Sequence, residues 1–140
     1  MPIQAHPTKS KKIPGTSFSE VHKKAFSLYS QIKKQTKRRP YIRSKYFKKD
    51  KIFLGLFWQH LHGKLNHRDK TRRVKYFPCA IELIQNTKFE PISKENPNEK
   101  TAILHRFTGI TSEKEIFFVQ IKEDKKSGQK FLISIFPFDK

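Results

Sequence analysis

Ile116-Phe117-Phe118-Val119-Gln120-Ile121-Lys122 and Phe131-Leu132-Ile133-Ser134-Ile135-Phe136 are the two stretches on which the fold turns. Both are short runs rich in β-branched and aromatic residues, and the segment between them, Glu123–Gln129, contains the turn signal Ser127-Gly128. A third run of the same kind, Ile103–Thr108, precedes them and is joined to the first by Gly109–Glu115. Two adjacent hairpins predict an antiparallel meander of three strands. A fourth strand is either Lys88–Ile92 or absent.

Successive side chains on a strand alternate between its two faces. Pairing Ile121 with Phe131, Val119 with Ile133 and Phe107 with Phe117 keeps the apolar sides together and leaves His105 as the one polar residue among them. Arg106 and Ser134 then lie across from Phe118, and Gln120 and Lys122 share their face with Leu104 and Phe136. An antiparallel sheet often leaves one face wet, so polar residues there need no role. This face, however, carries too many aromatic and aliphatic groups for simple solvation. Cations beside exposed rings suit a phosphate backbone and its bases.

Upstream the periodicity is helical. Residues 1–16, with three prolines and several lysines, predict a disordered basic tail. Ser17 and Glu20 fit a capping box, and Phe18, Val21, Ala25, Leu28, Tyr29 and Ile32 recur at helical spacing. A basic amphipathic helix is expected over 17–39, closed by Pro40. Residues 40–140 make up the α+β domain. Asp50 reads as the N-cap of a second helix bearing Phe53 or Leu54, Phe57, Trp58, Leu61 and Leu65, with Trp58 buried against Val119 and Ile133 of the sheet. A third helical segment contains Val74, Phe77, Ile81 and Ile84, and Pro78 should kink or split it. Residues 86–101 read as a polar loop. The expected fold class is α+β, with N-terminal helices packed on one face of a small antiparallel sheet.

The formal net charge of +19 is unevenly distributed: residues 1–75 hold 21 of the 31 Lys/Arg against only three acidic residues. Such a density implies a polyanionic partner, since self-repulsion otherwise opposes compaction. Lys33, Lys34, Lys37, Arg38 and Arg39 suit a helix C-terminus but are too dense for that alone, and they are candidate phosphate contacts. No apolar stretch is long enough to span a bilayer and Met1–Ala5 is no secretory signal, so a cytoplasmic protein without a membrane partner is expected, with signal-free export left open. Cys79 is the only cysteine and reads as a small buried residue rather than a nucleophile. Neither a metal site nor a cofactor is expected: His60 and His62 diverge by roughly 200° on a helix, and no carboxylates cluster near them. His60, His67 and His105 remain candidates for proton transfer.

Arg38-Arg39-Pro40-Tyr41, Tyr46-Phe47, Trp58 and Arg72-Arg73-Val74-Lys75-Tyr76-Phe77-Pro78, followed by the strand block ending Ile133-Ser134-Ile135-Phe136-Pro137, resemble the phage and mobile-element branch of the barnase–EndoU–colicin–RelE nuclease superfamily over roughly residues 38–138. The resemblance implies metal-independent RNA cleavage on the open sheet face, of the kind used by toxins or effectors. Arg106 and Ser134 would occupy the family's basic and hydroxyl positions, with Gln120 and Lys122 beside them and His60, His67, Arg73 or Lys75 completing the site from a helix. Arg72, Arg73, Lys75 and Phe118 would bind the RNA. An antitoxin or immunity protein would be the natural partner. The competing expectation is a basic nucleic-acid-binding protein without catalysis.

Overall fold

The computed structural model describes residues 4–63 and 67–138, with backbone alone at Gly63 and His67. Four helices and seven strands occur among the described residues: β1 (His6–Pro7), α1 (Phe18–Gln35), β2 (Tyr41–Ser44), β3 (Asp50–Phe53), α2 (Gly55–Gly63), α3 (His67–Val74), α4 (Phe77–Asn86), β4 (Ile92–Asn96), β5 (Glu99–Ile110), β6 (Ile116–Asp124) and β7 (Lys130–Pro137). The strands form one mixed sheet in the order β1-β5-β6-β7-β3-β2, with β4 also on β5. Pairs β1–β5 and β3–β7 are parallel. This overturns the expected fold class: the small antiparallel meander is the centre of a larger mixed sheet, and the helices do not all precede the strands.

The added strands are short or polar, which is why periodicity missed them. In β2, Ile42 and Ser44 are buried while Arg43 is exposed, and the strand is only four residues long. In β3, Ile52 is fully buried between exposed Lys51 and partly exposed Phe53. Asp50 therefore does not cap a helix. It sits in a strand, and its carboxylate accepts from Lys130 Nζ at 2.8 Å. Lys130 is 5% exposed, so this pairing offsets the desolvation of its charge. β4 pairs with β5 from Ile92↔Arg106 onward, so the fourth strand begins where it was expected to end, within the supposed loop. Its Lys94 and Glu95, with a bulge at Glu95/Asn96, suit an unpaired edge.

The meander has its own corrections. Phe107 pairs with Val119 rather than Phe117, a shift of two residues that preserves the faces. β7 carries a bulge opposite Gln120/Ile121, so that Gln120 pairs with Ser134 but Ile121 with Leu132. Ile133 is the extra residue. Before the bulge the expected register is off by one, which turns Phe131 away from the core and buries Leu132; after it, Ile135 is buried as expected.

Helix α1 begins where Ser17 Oγ accepts from the Glu20 amide and runs to Gln35, with Thr36 as its C-cap, so the basic residues 37–39 lie beyond it. Trp58 is 5% exposed, and the rings around it belong to helices. Its ring meets His22, Phe26 and Tyr29 of α1, Phe57 of α2 and Phe77 of α4 at 5.2–5.3 Å. Pro78 splits the third helical segment into α3 and α4, where it occupies the first turn and lacks nothing by having no N–H. Against the inner sheet face, Gly109 passes so close to the Phe117 ring that a Cβ there would lie 2.4 Å from it.

Residues 5–16, expected to be a disordered tail, are held down. The Thr8 amide donates to Ile110 and that of Ile13 to Lys75, while the Lys9 and Ser10 amides share the Glu82 carboxylate. Lys12 pairs with Glu115 at 2.6 Å. Cys79 lies beneath this segment, its thiol donating to the Ser10 carbonyl, and burial pushes it up to about 11. That is a structural thiol.

Candidate functional site

β5, β6 and β7 turn Arg106, Gln120 and Ser134 to one face, directly across from one another: Arg106↔Gln120 and Gln120↔Ser134. The neighbouring rung is Thr108–Phe118–Phe136. All six are partly exposed, while Phe107, Val119 and Ile135 are buried behind them. β3 pairs with β7 only at Lys130 and Phe131, and beyond that point α2 and α3 pack beside β7. Arg73 of α3 consequently reaches Ser134, donating from Nη1 to Oγ at 3.0 Å.

Two guanidinium groups converge on this face. Arg73 stands 5.7 Å from the centroid of the Phe136 ring and Arg106 5.3 Å, and Arg106 is also 5.7 Å from Phe118. Arg106 reaches Gln120 Oε1 only at a long 3.5 Å. Ring quadrupoles favour these cations modestly, but two like charges around one ring repel each other. An anion between them removes that repulsion. Beside the cluster, a cleft of about 240 Å³ is lined by Asp69, Arg72, Arg73, Phe136 and Pro137. Asp69 brings a carboxylate to it, 3.9 Å from Arg72.

Other expected site residues lie elsewhere or are engaged. Lys122 is on the same face, one rung away, where its ammonium pairs with Glu99 at 3.2 Å and lies 6.0 Å from the Phe131 ring. His105 points inward and is 7% exposed; Nδ1 meets Ser93 Oγ and Nε2 meets Glu123 Oε1, each at 2.7 Å. Those contacts make it a staple across β4, β5 and β6. His60 is exposed on α2, and the side chain of His67 lies outside the described residues. Among the described residues no histidine hydrogen-bonds to Arg73, Arg106, Gln120 or Ser134. Arg72 and Lys75 line a further cleft with Arg68 and Phe18. Lys33, Lys34, Lys37, Arg38 and Arg39 are exposed at the end of α1 and beyond it.

Sequence reasoning missed the Arg73–Ser134 link, which joins residues 61 apart, and the presence of Asp69 beside it. It also missed a row of rings on the same face, Tyr41↔Phe53↔Phe131, in which β2 and β3, strands periodicity had not found, supply the first two. Comparison of the chain with family models, with characterised proteins and with solved structures finds no match. The functional reading therefore rests on residues and geometry. Among the described residues no group of three His, Cys, Asp or Glu is gathered to hold a metal, and no helix is long and apolar enough to cross a membrane.

Proposed function

We propose that the protein is a metal-independent endoribonuclease whose site is the Arg73–Arg106–Ser134 cluster on the open sheet face. The observation that carries this reading is the approach of two guanidinium groups, from a helix and a strand, to Phe136, with the Ser134 hydroxyl bonded to one of them. A phosphodiester seated there meets two cationic forks. When the adjacent ribose 2′-oxygen attacks phosphorus, negative charge grows on the non-bridging oxygens, and donors fixed in advance stabilise that charge more than they stabilise the ground state. Ser134, oriented by Arg73, positions the phosphate, and Gln120 orients Arg106. Asp69 lines the adjoining cleft and is the carboxylate assigned to accept the 2′-proton. The P–O5′ bond breaks, O5′ takes a proton from solvent, and the products are a 2′,3′-cyclic phosphate and a 5′-hydroxyl. The resemblance read from the sequence, to the barnase–EndoU–colicin–RelE superfamily, would imply the same chemistry.

Among the described residues no histidine is bonded to the cluster, and this favours a second reading, a protein that grips single-stranded RNA on this face without cutting it. Incubation of purified protein with RNA in EDTA separates the two. Cleavage leaving cyclic phosphate ends supports the nuclease, and a stable complex with intact RNA supports the binder.

A further inference from the structure

A second cation-and-ring surface adjoins the cluster. Tyr41, Phe53, Phe131 and Lys122 are consecutive cross-strand partners, so their side chains form one row over β2, β3, β7 and β6 on the open face. Ring centroids along it are 6.1 Å (Tyr41–Phe53) and 5.8 Å (Phe53–Phe131) apart. Cations lie over each ring: Arg39 at 4.1 Å from Phe53, and Lys51 at 4.7 Å and Arg43 at 5.5 Å from Tyr41. The row opens into a cleft of about 640 Å³ lined by Gln35, Thr36, Lys37, Arg38, Arg39, Tyr41, Lys51 and Phe53, a set without a single acidic side chain.

We infer that this row is a subsite for unpaired nucleotides flanking the phosphate held by Arg73 and Arg106. The inference deepens the proposed function and rests on it for the identity of the strand. Physically, a guanidinium held over a ring, as Arg39 is 4.1 Å from the centroid of Phe53, can offer its outer face for a base to stack on while its edges reach phosphate oxygens. Tyr41 supplies a second platform, and Lys37, Arg38 and Lys51 track the backbone. Rings at this spacing suit successive bases of a single strand, whereas a duplex keeps its base faces stacked on one another and offers none to Tyr41.

The test uses fluorescence anisotropy with 2′-O-methyl oligonucleotides, which cannot undergo 2′-oxygen attack, so that binding is read independently of cleavage. Single strands should bind more tightly than a duplex of the same length. Tyr41→Ala and Arg39→Ala should each weaken single-strand binding about tenfold, as expected when one stacked base is lost, with melting temperatures checked in parallel. Arg39→Lys, which keeps the charge but not the plane, should fall with Arg39→Ala. Inorganic polyphosphate and anionic phosphatidylserine vesicles should show no dependence on Tyr41. The inference is overturned if Tyr41→Ala and Arg39→Ala, both folded, bind single strands as the wild type does, or if duplex, polyphosphate or vesicles bind equally well with the same dependence on Tyr41. Loss of binding in these variants with no cleavage by the wild-type protein would sink the nuclease reading alone. Cleavage with unchanged binding would sink this inference alone.

Discussion

His105 and Arg106 are neighbours in the chain and face opposite ways, and the consequences of replacing them should differ accordingly. Arg106→Ala is expected to slow RNA cleavage by a factor of about 100 or more, the scale of losing one preorganised donor, with little change in melting temperature. Ser134→Ala should slow cleavage too without unfolding the protein, since its side chain is only partly buried. His105→Ala should do the reverse. It strips partners from Ser93 and Glu123 and should lower stability by about 1–3 kcal/mol in denaturant titration, with the folded fraction keeping its activity. These positions were legible in the sequence because the β5–β6 register expected from the apolar pattern was off by two, and an even shift leaves every side chain on its face. Phe131 was not legible. One extra residue, Ile133, reversed the alternation before Ser134 and restored it afterwards.

Helices and strands were read unevenly. The start of α1 and the break at Pro78 follow from local chemistry, namely a serine cap and a proline in a first turn, and local chemistry is what a sequence displays directly. The β2–β3 hairpin was hidden because its turn has no glycine: Lys48 and Lys49 take positive φ values of 56° and 73°. Asp50 and the apolar run after it then looked like a helix start. Trp58 was expected in the core and lies there, and three of the rings around it, Phe26, Tyr29 and His22, come from α1. Trp58→Ala should therefore cost about 3–5 kcal/mol and loosen α1, detectable as faster hydrogen exchange in α1 than in β6. His22 adds a pH dependence. Burial first, and the charge of His62 second, lower its pKa below the ordinary value of 6.5. Burial lowers that of His6 as well, against Glu82. Both are favoured neutral in the fold, so the folded protein binds fewer protons than the unfolded chain just below pH 6.5. Their contribution is present above that pH and is lost as the pH falls through the depressed values. Melting temperature should drop between pH 7.5 and 5, and His22→Phe should flatten the drop. An unchanged profile in that variant would show that His22 is not the titrating group.

At the scale of the whole molecule the charge of +19 has a location. Arg39, Arg43 and Lys51 lie over rings of the open face, Arg73 joins them from α3, and Lys37 and Arg38 line the adjoining cleft. The composition pointed to a polyanion but could not say that two short strands extend the open face well beyond the meander. Nor could it show that residues 5–16 are tied to β5 and α4 rather than free to sweep up RNA. Binding should weaken with salt at a log–log slope of roughly −0.7 per phosphate contact on single strands. Replacing Lys37, Arg38 and Arg39 together with glutamine should make that slope shallower by about two to three contacts' worth without lowering the melting temperature. A slope equal to that of the wild type would mark the run as a solvated helix end.

If Arg73 and Arg106 act on one phosphate, a double-mutant cycle on single-turnover RNA cleavage in EDTA will couple them. Groups that stabilise the same transition state are not independent. Arg73→Ala and Arg106→Ala should each slow cleavage about 100-fold, and the double variant should be slowed far less than the roughly 10,000-fold product of the two. Full activity in either folded single variant, or losses that simply multiply, would mean that the two guanidinium groups do not share a phosphate.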